Sequence, residues 1–527
     1  MSDEQVIRPR IEFYLASTWT DVSADVVSDI VADWGIHAAR QDERVAAAGA
    51  LTFELDNSTQ NSAGLLGYYS VGSPNVRAGF GVGTAVRLVL SHAFYGDRVA
   101  WVGTIDSAPP TPNVAAPKTS VRCVDWRAEA ERARLSGLAV QLDVQSDALF
   151  ATLVAAMSTP PPGGTMSGSG SDIYPFALDD AQDEQNEFAT MLQRLALSEY
   201  GLVYVVAGAL VFEGRRRRGG SGSVRFALDD ALFVALGVSH ARENVLNRIQ
   251  VSIHPRRRDA AATAVLFSLA SGIEVVRNTQ TVLQCAYRDP NQNAQRVGGI
   301  DMVAPVASTD YLGNTAEDGS GSDITSQFAV VSVPGGNSAS VTVTNNGPLD
   351  GYLVKLQLRG RGLYNFEPVL TEMRDAASIT KYGENPLPYD MPYQASPANA
   401  LDTAQFLLNL NKDERVRATS VTYLANWDLS TVEQALNLQI SDRVSITSPP
   451  LGLAGVVYFV NGVRLEVRMS GLVLVTYDLS PADISQYWLL EIAGRTELDE
   501  TTILGFGLFV AGWLLDTSVL NTDSFLA

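Results

Sequence analysis

The side chains most able to do chemistry are few, and their spacing works against it. Each of the four histidines, His37, His92, His240 and His254, is followed by Ala or Pro. An H-E-x-x-H zinc site is therefore impossible, and no two histidines lie at helical ligand spacing. The four lysines, Lys118, Lys355, Lys381 and Lys412, follow Pro, Val, Thr and Asn, so no P-loop of the Walker type can form. Cys123 and Cys285 make no C-x-x-C pair, and a Cys–His nucleophile would have to be assembled from distant residues. No serine has glycine two residues away on both sides, which removes the nucleophile elbow. These gaps lead us to expect no catalytic, cofactor-binding or metal-binding residues, no cofactor, and no enzymatic activity.

Charged runs are the remaining candidates. Asp179, Asp180, Asp183, Glu184 and Glu187 form the densest acidic cluster. Carboxylates three and four apart share a helix face, so a metal or general-acid reading exists. The simpler reading is a helix starting near Asp180 and buried through Phe188, Met191, Leu192 and Leu195, with the acids at its positive N-terminal end. Arg215–Arg218 follows an apparent hairpin, LVYVV-AG-ALVFE, and precedes a Gly/Ser run. It reads as a solvated loop tip facing away from any path for nucleic acid, or as a contact to an acidic partner subunit. Arg256–Arg258 is a second basic run. The stretches 163–172, 219–223 and 319–323 lack the strand-glycine-helix context of a phosphate cradle and read as flexible loops.

The elements that carry these residues need several cores. The 527 residues predict roughly two to four domains. Hydrophobic residues make up 46% of the chain, enough to bury those cores. A net charge of -20 argues against a protein that wraps nucleic acid by neutralising phosphates. Two cysteines build no disulfide framework, and the polar start, Met1 to Arg10, does not read as a signal peptide. The apolar run Ile503 to Leu515 is 13 residues long, against about 20 for a membrane-spanning helix. A buried or interface-packing segment is expected there, without stable membrane insertion; a membrane-inserting segment is the other reading.

The texture changes along the chain. Residues 1–127 are mostly strand-like: IEFYL (11–15), LTFELDN (51–57), AVRLVL (85–90), VAWVGTI (99–105) and SVRCVDW (120–126). Residues 128–259 mix helices near 128–138, 147–157 and 180–199 with the hairpin at 202–213, and form an α+β unit. Residues 260–370 are Thr/Ser/Val-rich and turn-punctuated, as in an immunoglobulin-like β-sandwich inserted into the chain. Residues 371–480 hold a helix at about 397–412 and then SDRVSI (441–446), VVYFVNGVRLEV (456–467) and LVLVTYDLS (472–480). Those three strands repeat the order of AVRLVL, VAWVGTIDS and SVRCVDW: an Arg-Val strand, an apolar strand broken by Gly, and a strand closing on Asp plus an aromatic. The expected fold is therefore mainly β with an α+β portion: two small β-barrels, at 1–127 and within 371–480, with the second borrowing a strand from around 245–253. A C-terminal tail spans 481–527.

One ordered set of segments is similar to a known family. WTDVSADV (19–26), LTFELDN, YYSVGSPN (68–75), AVRLVL, VGTIDS and VRCVDW lead to ENVLNRIQVSI (243–253), SITKYG, SDRVSI and the tail YWLLEIAGRTELDETTILGF (487–506). The set resembles the hub, or minor tail, proteins at the tail tip of tailed bacteriophages. The resemblance implies barrels of tail-tube type in a homotrimer, six barrels forming a ring that continues the hexameric tail tube. It implies as partners the distal tail or tail tube protein, the tape measure protein, and tail fibre or spike proteins. DNA would cross the lumen only transiently, and an acidic lumen would let it slide. The implied location is the virion tail tip, after assembly in host cytoplasm. No peptidoglycan hydrolase module is recognisable, so no enzymatic role carries over. Two other readings remain at this stage. In a receptor-binding tail protein the sandwich would recognise a host surface saccharide through aromatics such as Trp427, Tyr352 and Tyr364. In a carboxylate hydrolase, paired acids about 5–10 Å apart would share one cleft.

Overall fold

A computed structural model describes residues 6–37, 43–111, 116–135, 138–179, 187–219 and 223–482, with the backbone of Tyr487–Trp488 and Ile503–Leu504. Asp180, Asp183 and Glu184, residues 505–515 of the apolar run and the rest of the tail lie outside the described residues. The protein is mainly β, as the alternation of apolar residues predicts.

A single 14-stranded sheet dominates. Its first strands are β1 (Arg8–Leu15), β2 (Ile30–Gly35), β3 (Ala50–Asp56), β4 (Ala85–His92), β5 (Gly96–Ser107) and β6 (Lys118–Val124). A later group comprises β7 (Val224–Asp229), β8 (Phe233–Ser239), β9 (Arg417–Leu424), β10 (Arg443–Ser448), β11 (Leu453–Val467) and β12 (Val473–Pro481). Alternation places Leu51, Phe53 and Leu55 of β3 inside, and likewise Val473, Val475, Tyr477 and Leu479 of β12. The neighbour order is β2-β3-β6-β5-β4-β1 in one group and β8-β9-β12-β11-β10-β7 in the other. Six strands thus recur in the same chain order and the same spatial order. The two groups differ at their last pair, since β1 runs antiparallel to β4 and β7 runs parallel to β10.

The two groups are continuous rather than separate barrels. β2 pairs antiparallel with residues 462–467 of β11, and one apolar core runs from Phe53 and Leu88 to Val444 and Leu465. Gly35 and Gly462 are register partners at the end of this seam. A Cβ on Gly35 would stand 2.6 Å from the Asn461 carbonyl oxygen, so glycine is what lets the backbones approach. Among the described residues neither of the two strand groups, expected as small barrels, closes on itself by hydrogen bonds. The borrowed strands also differ from expectation: β7 and β8 join the second group. Arg248–Ile253 instead forms a separate sheet with Val369–Arg374 and Pro386–Met391.

The intervening segments build three further cores. In the α+β unit, helices α1 (Ser146–Ala155) and α2 (Phe188–Glu199) pack on the hairpin Leu202–Val206/Ala209–Glu213 through Phe150, Leu153, Leu192 and Phe212. α2 begins at Phe188, not near Asp180, and its first turn holds no acid. Helix α3 (Pro397–Asn411) starts at a Ser396 cap with proline in its first turn and buries Ala400, Ala404 and Leu407 against the 248–253 sheet. Residues 256–365 form a six-stranded sheet around the long strand Gly351–Asn365. A three-stranded sheet is built on Ser338–Asn345, and the two share a core of Cys285, Val341, Leu356 and Leu358.

Inside that core region Asp310 receives two N–H bonds from Arg359, at 2.7 and 2.8 Å, and one from Gln357. The Arg359 guanidinium holds the Asp310 carboxyl down to about 2. A lowered carboxyl stabilises the fold above its unfolded value near 3.9, and that contribution fades as pH falls towards about 2. We expect this unit to lose about 2 kcal/mol across that window. Asp310→Asn should show a flatter loss in thermal unfolding between pH 5 and pH 2; an unchanged slope would refute the assignment.

Candidate functional site

The seam between β2 and β11 has an open counterpart. β8 occupies in the second group the place of β2 in the first. The outer edge of β2 carries β11; no described strand pairs with the outer edge of β8. The sequence of β8, FVALGVS, has no charge, and Val234 and Val238 stand 65% and 44% exposed. An uncharged edge with unpaired backbone groups is a template for another strand.

The arginine run reads differently in space than in sequence. The Arg215 and Arg218 side chains turn inward, while Arg216 and Arg217 stay exposed. Arg215 donates two N–H bonds, at 2.7 and 2.8 Å, to the buried carboxylate of Asp172. Gln394 and Asn399 also donate to Asp172, so this cluster fastens the α+β unit to α3. Glu199, fully buried beside it, accepts from Ser146 Oγ and from the Ser171 and Asp172 amides. Burial pushes both carboxyls above their usual range, with Arg215 opposing the shift. Both acids are inaccessible, which makes them struts and not the open pair that a hydrolase needs. Arg218 donates to Ser441 Oγ at 2.9 Å and Asn461 Oδ1 at 2.7 Å, clamping the unit to the second strand group. The solvated-tip reading of Arg215–Arg218 is therefore corrected for two of its four members. The reason is that their partners lie far away in sequence.

Other candidates resolve individually. Asp179 pairs with Arg256 at 2.7 Å, both side chains being buried. Arg257 lies over the Tyr364 ring, and Glu187 pairs with Arg134. His37, His240 and His254 each face one carboxylate, Asp478, Glu414 and Asp390. No group of three or more His, Cys, Asp or Glu suited to a metal occurs among the described residues, and no described helix is long and apolar enough to cross a membrane. Trp427 is 59% exposed on the loop after β9. Tyr352 and Tyr364 lie on the Gly351–Asn365 strand, with Tyr364 buried.

Sequence reasoning missed Asp172, Arg44 and Arg417. A signal existed at Gly170, in a stretch read as flexible: a Cβ there would lie 2.0 Å from Ser146 Oγ, so the chain is small at this point because it is packed. Arg44, Arg215, Arg218 and Arg417 line one cleft of about 280 Å³ where the two strand groups, the α+β unit and α3 meet.

No family model and no curated protein sequence matches the chain. Solved structures similar to it include the 43 kDa tail protein of prophage MuSo2 from Shewanella oneidensis, at 11% identity and a TM-score of 0.48, covering 90% of this chain and 99% of that one. The tail protein from Neisseria meningitidis MC58 matches at 10% identity and 0.47, covering 89% and 96%. The prophage tail protein gp18 from Listeria monocytogenes EGD-e matches at 9% and 0.39, covering 90% and 95%. Likeness this distant carries no residue role across. The three are described as tail proteins of bacterial prophages or bacteria.

Proposed function

We propose that the chain is a structural hub subunit of the tail tip of a tailed bacteriophage. Three copies form a ring that extends the tail tube and anchors tip or fibre proteins, and DNA crosses it at ejection. The observation that supports this most is the recurrence of six strands in one chain and spatial order, joined through β2 and β11. Two like units per chain let a three-fold object present six near-equivalent positions to a six-fold tube. Closed cyclic symmetry also limits the assembly. The residue-level resemblance of 11–127 and 370–506 to hub proteins points the same way. The buried fastenings at Asp172 and Arg218 fit a part that carries load between modules rather than one that turns over a substrate. Imaging of the particle tests the reading: three copies about the tail axis are expected. A single copy, a six-fold ring of this chain, or a peripheral appendage would refute it.

A further inference from the structure

Three of the four arginines that line the cleft described above make no ion pair among the described residues. Arg215 has Asp172. Arg44, Arg218 and Arg417 have no carboxylate within ion-pair distance among the described residues; their donors go to neutral acceptors. Arg44 bonds the Tyr200 and Gly201 carbonyl oxygens at 2.6 and 3.0 Å and lies 3.8 Å over the Tyr200 ring. Arg218 donates to Ser441, Asn461, Ser480 and the Val460 carbonyl oxygen. Arg417 bonds Asn411 Oδ1 at 3.0 Å, and its Nε is buried with no acceptor.

We propose that this cleft is an oxyanion site, in which the guanidinium groups of Arg44, Arg218 and Arg417 receive a carboxylate or phosphate group. Neutral acceptors fix the three side chains without cancelling their charge. The planar fork of arginine matches both carboxylate and phosphate. Asn244, Thr419 and Ser420 add neutral polar groups to the wall. Three acids also line the cleft, and two are engaged: Asp478 with His37 at 2.6 Å, and Glu213 with the Tyr204 and Ser441 hydroxyls. Glu213 is the main charge opposing Arg218, and Glu43 sits exposed at the rim. Burial lowers Arg218 and Arg417 to about 10, which leaves both charged at neutral pH. The proposal does not depend on the tail-tip reading.

The test uses the full chain with two probes, inorganic phosphate and glutarate, each titrated against chloride at constant ionic strength. We expect a saturable rise of the unfolding midpoint with at least one probe, and at least a tenfold weaker response in Arg417→Gln and Arg44→Gln. Arg417→Lys should fall between wild type and Arg417→Gln, because it keeps the charge and loses the fork. Response to glutarate alone assigns the site to a protein carboxylate; response to phosphate, alone or with glutarate, assigns it to phosphate. Protection of Arg44 and Arg417 from phenylglyoxal by the bound probe, measured on wild-type peptides by mass, tests the site even where a variant fails to fold. No saturable response beyond chloride, no protection, or undiminished binding in both folded glutamine variants would each overturn the proposal.

Discussion

Arg215→Met should destabilise the protein by about 3–5 kcal/mol at neutral pH, because it leaves a buried carboxylate without its counter-charge. Asp172 is 4% exposed and keeps the amide donors of Gln394 and Asn399 and the charge of the exposed Arg216, beside the equally buried Glu199. In thermal unfolding the loss corresponds to about 10 °C for the transition of the α+β unit. The pH dependence supplies a second check. Burial already raises the Asp172 carboxyl above its usual range, and Arg215 is the main opposing influence. A raised carboxyl penalises the fold once ionised. The penalty is absent below the unfolded value near 3.9 and sets in as pH rises from there through the folded value. Removing Arg215 enlarges that penalty, so variant and wild type should converge near pH 4 and diverge towards pH 7. The double change Arg215→Met with Asp172→Leu should recover most of the loss, since replacing both members of a buried pair by apolar groups is often neutral or better. A deficit that is independent of pH and persists in the double variant would show that packing, not charge, is what Arg215 supplies.

The same pair shows where sequence reading stops. Period-two alternation made β3 to β6 and β10 to β12 legible, because one buried face leaves a trace in every second residue. The glycine breaks at Gly103 and Gly462 made the recurrence visible. α3 was legible from its spacing of Ala400, Ala404 and Leu407. Pairing partners were not. Arg248–Ile253 reads clearly as a strand, yet its neighbours begin at residues 369 and 386, and alternation says nothing about which strand lies alongside. β8 carries weak alternation, with Val234 and Ala235 both exposed; β7 alternates through Phe226 and Leu228, but alternation does not show that it lies beside β10. The arginine run failed for an electrostatic reason. A charged side chain is placed in solvent by default, and only partners brought together by the fold reverse that placement. For Arg215 the partner stands 43 residues away, and for Arg218 the main acceptor stands 243 away. Neutral acceptors leave no charge pattern in the sequence, which is why Arg44 and Arg417 gave no warning at all.

Lysines placed on the open edge of β8 should abolish assembly while leaving the chain folded. Within one chain, β2 of the first group lies against β11 of the second. The proposed ring repeats that seam between chains, so β8 of one copy would meet the strand of a neighbouring copy that corresponds to β11, which is β5. Val234 and Val238 are 65% and 44% exposed in the single chain, so Val234→Lys with Val238→Lys should change its stability by no more than about 0.5 kcal/mol per site. At a desolvated seam the same charges are expensive: an unfavourable charge at an interface costs several kcal/mol. At about 1.4 kcal/mol for each tenfold change, association should weaken a hundredfold or more. Val331→Lys is the control, because Val331 is 61% exposed on the three-stranded sheet of the 256–365 unit, outside the proposed ring. Sedimentation velocity on the purified chains, with the tail tube protein added as a template where the chain alone stays monomeric, reads the outcome directly. Wild type and Val331→Lys should reach the same three-copy species, and the β8 variant should remain a folded monomer. Unimpaired assembly of the β8 variant would sink the seam-repeat model, because a strand edge carrying two lysines cannot be the surface that holds neighbouring copies together.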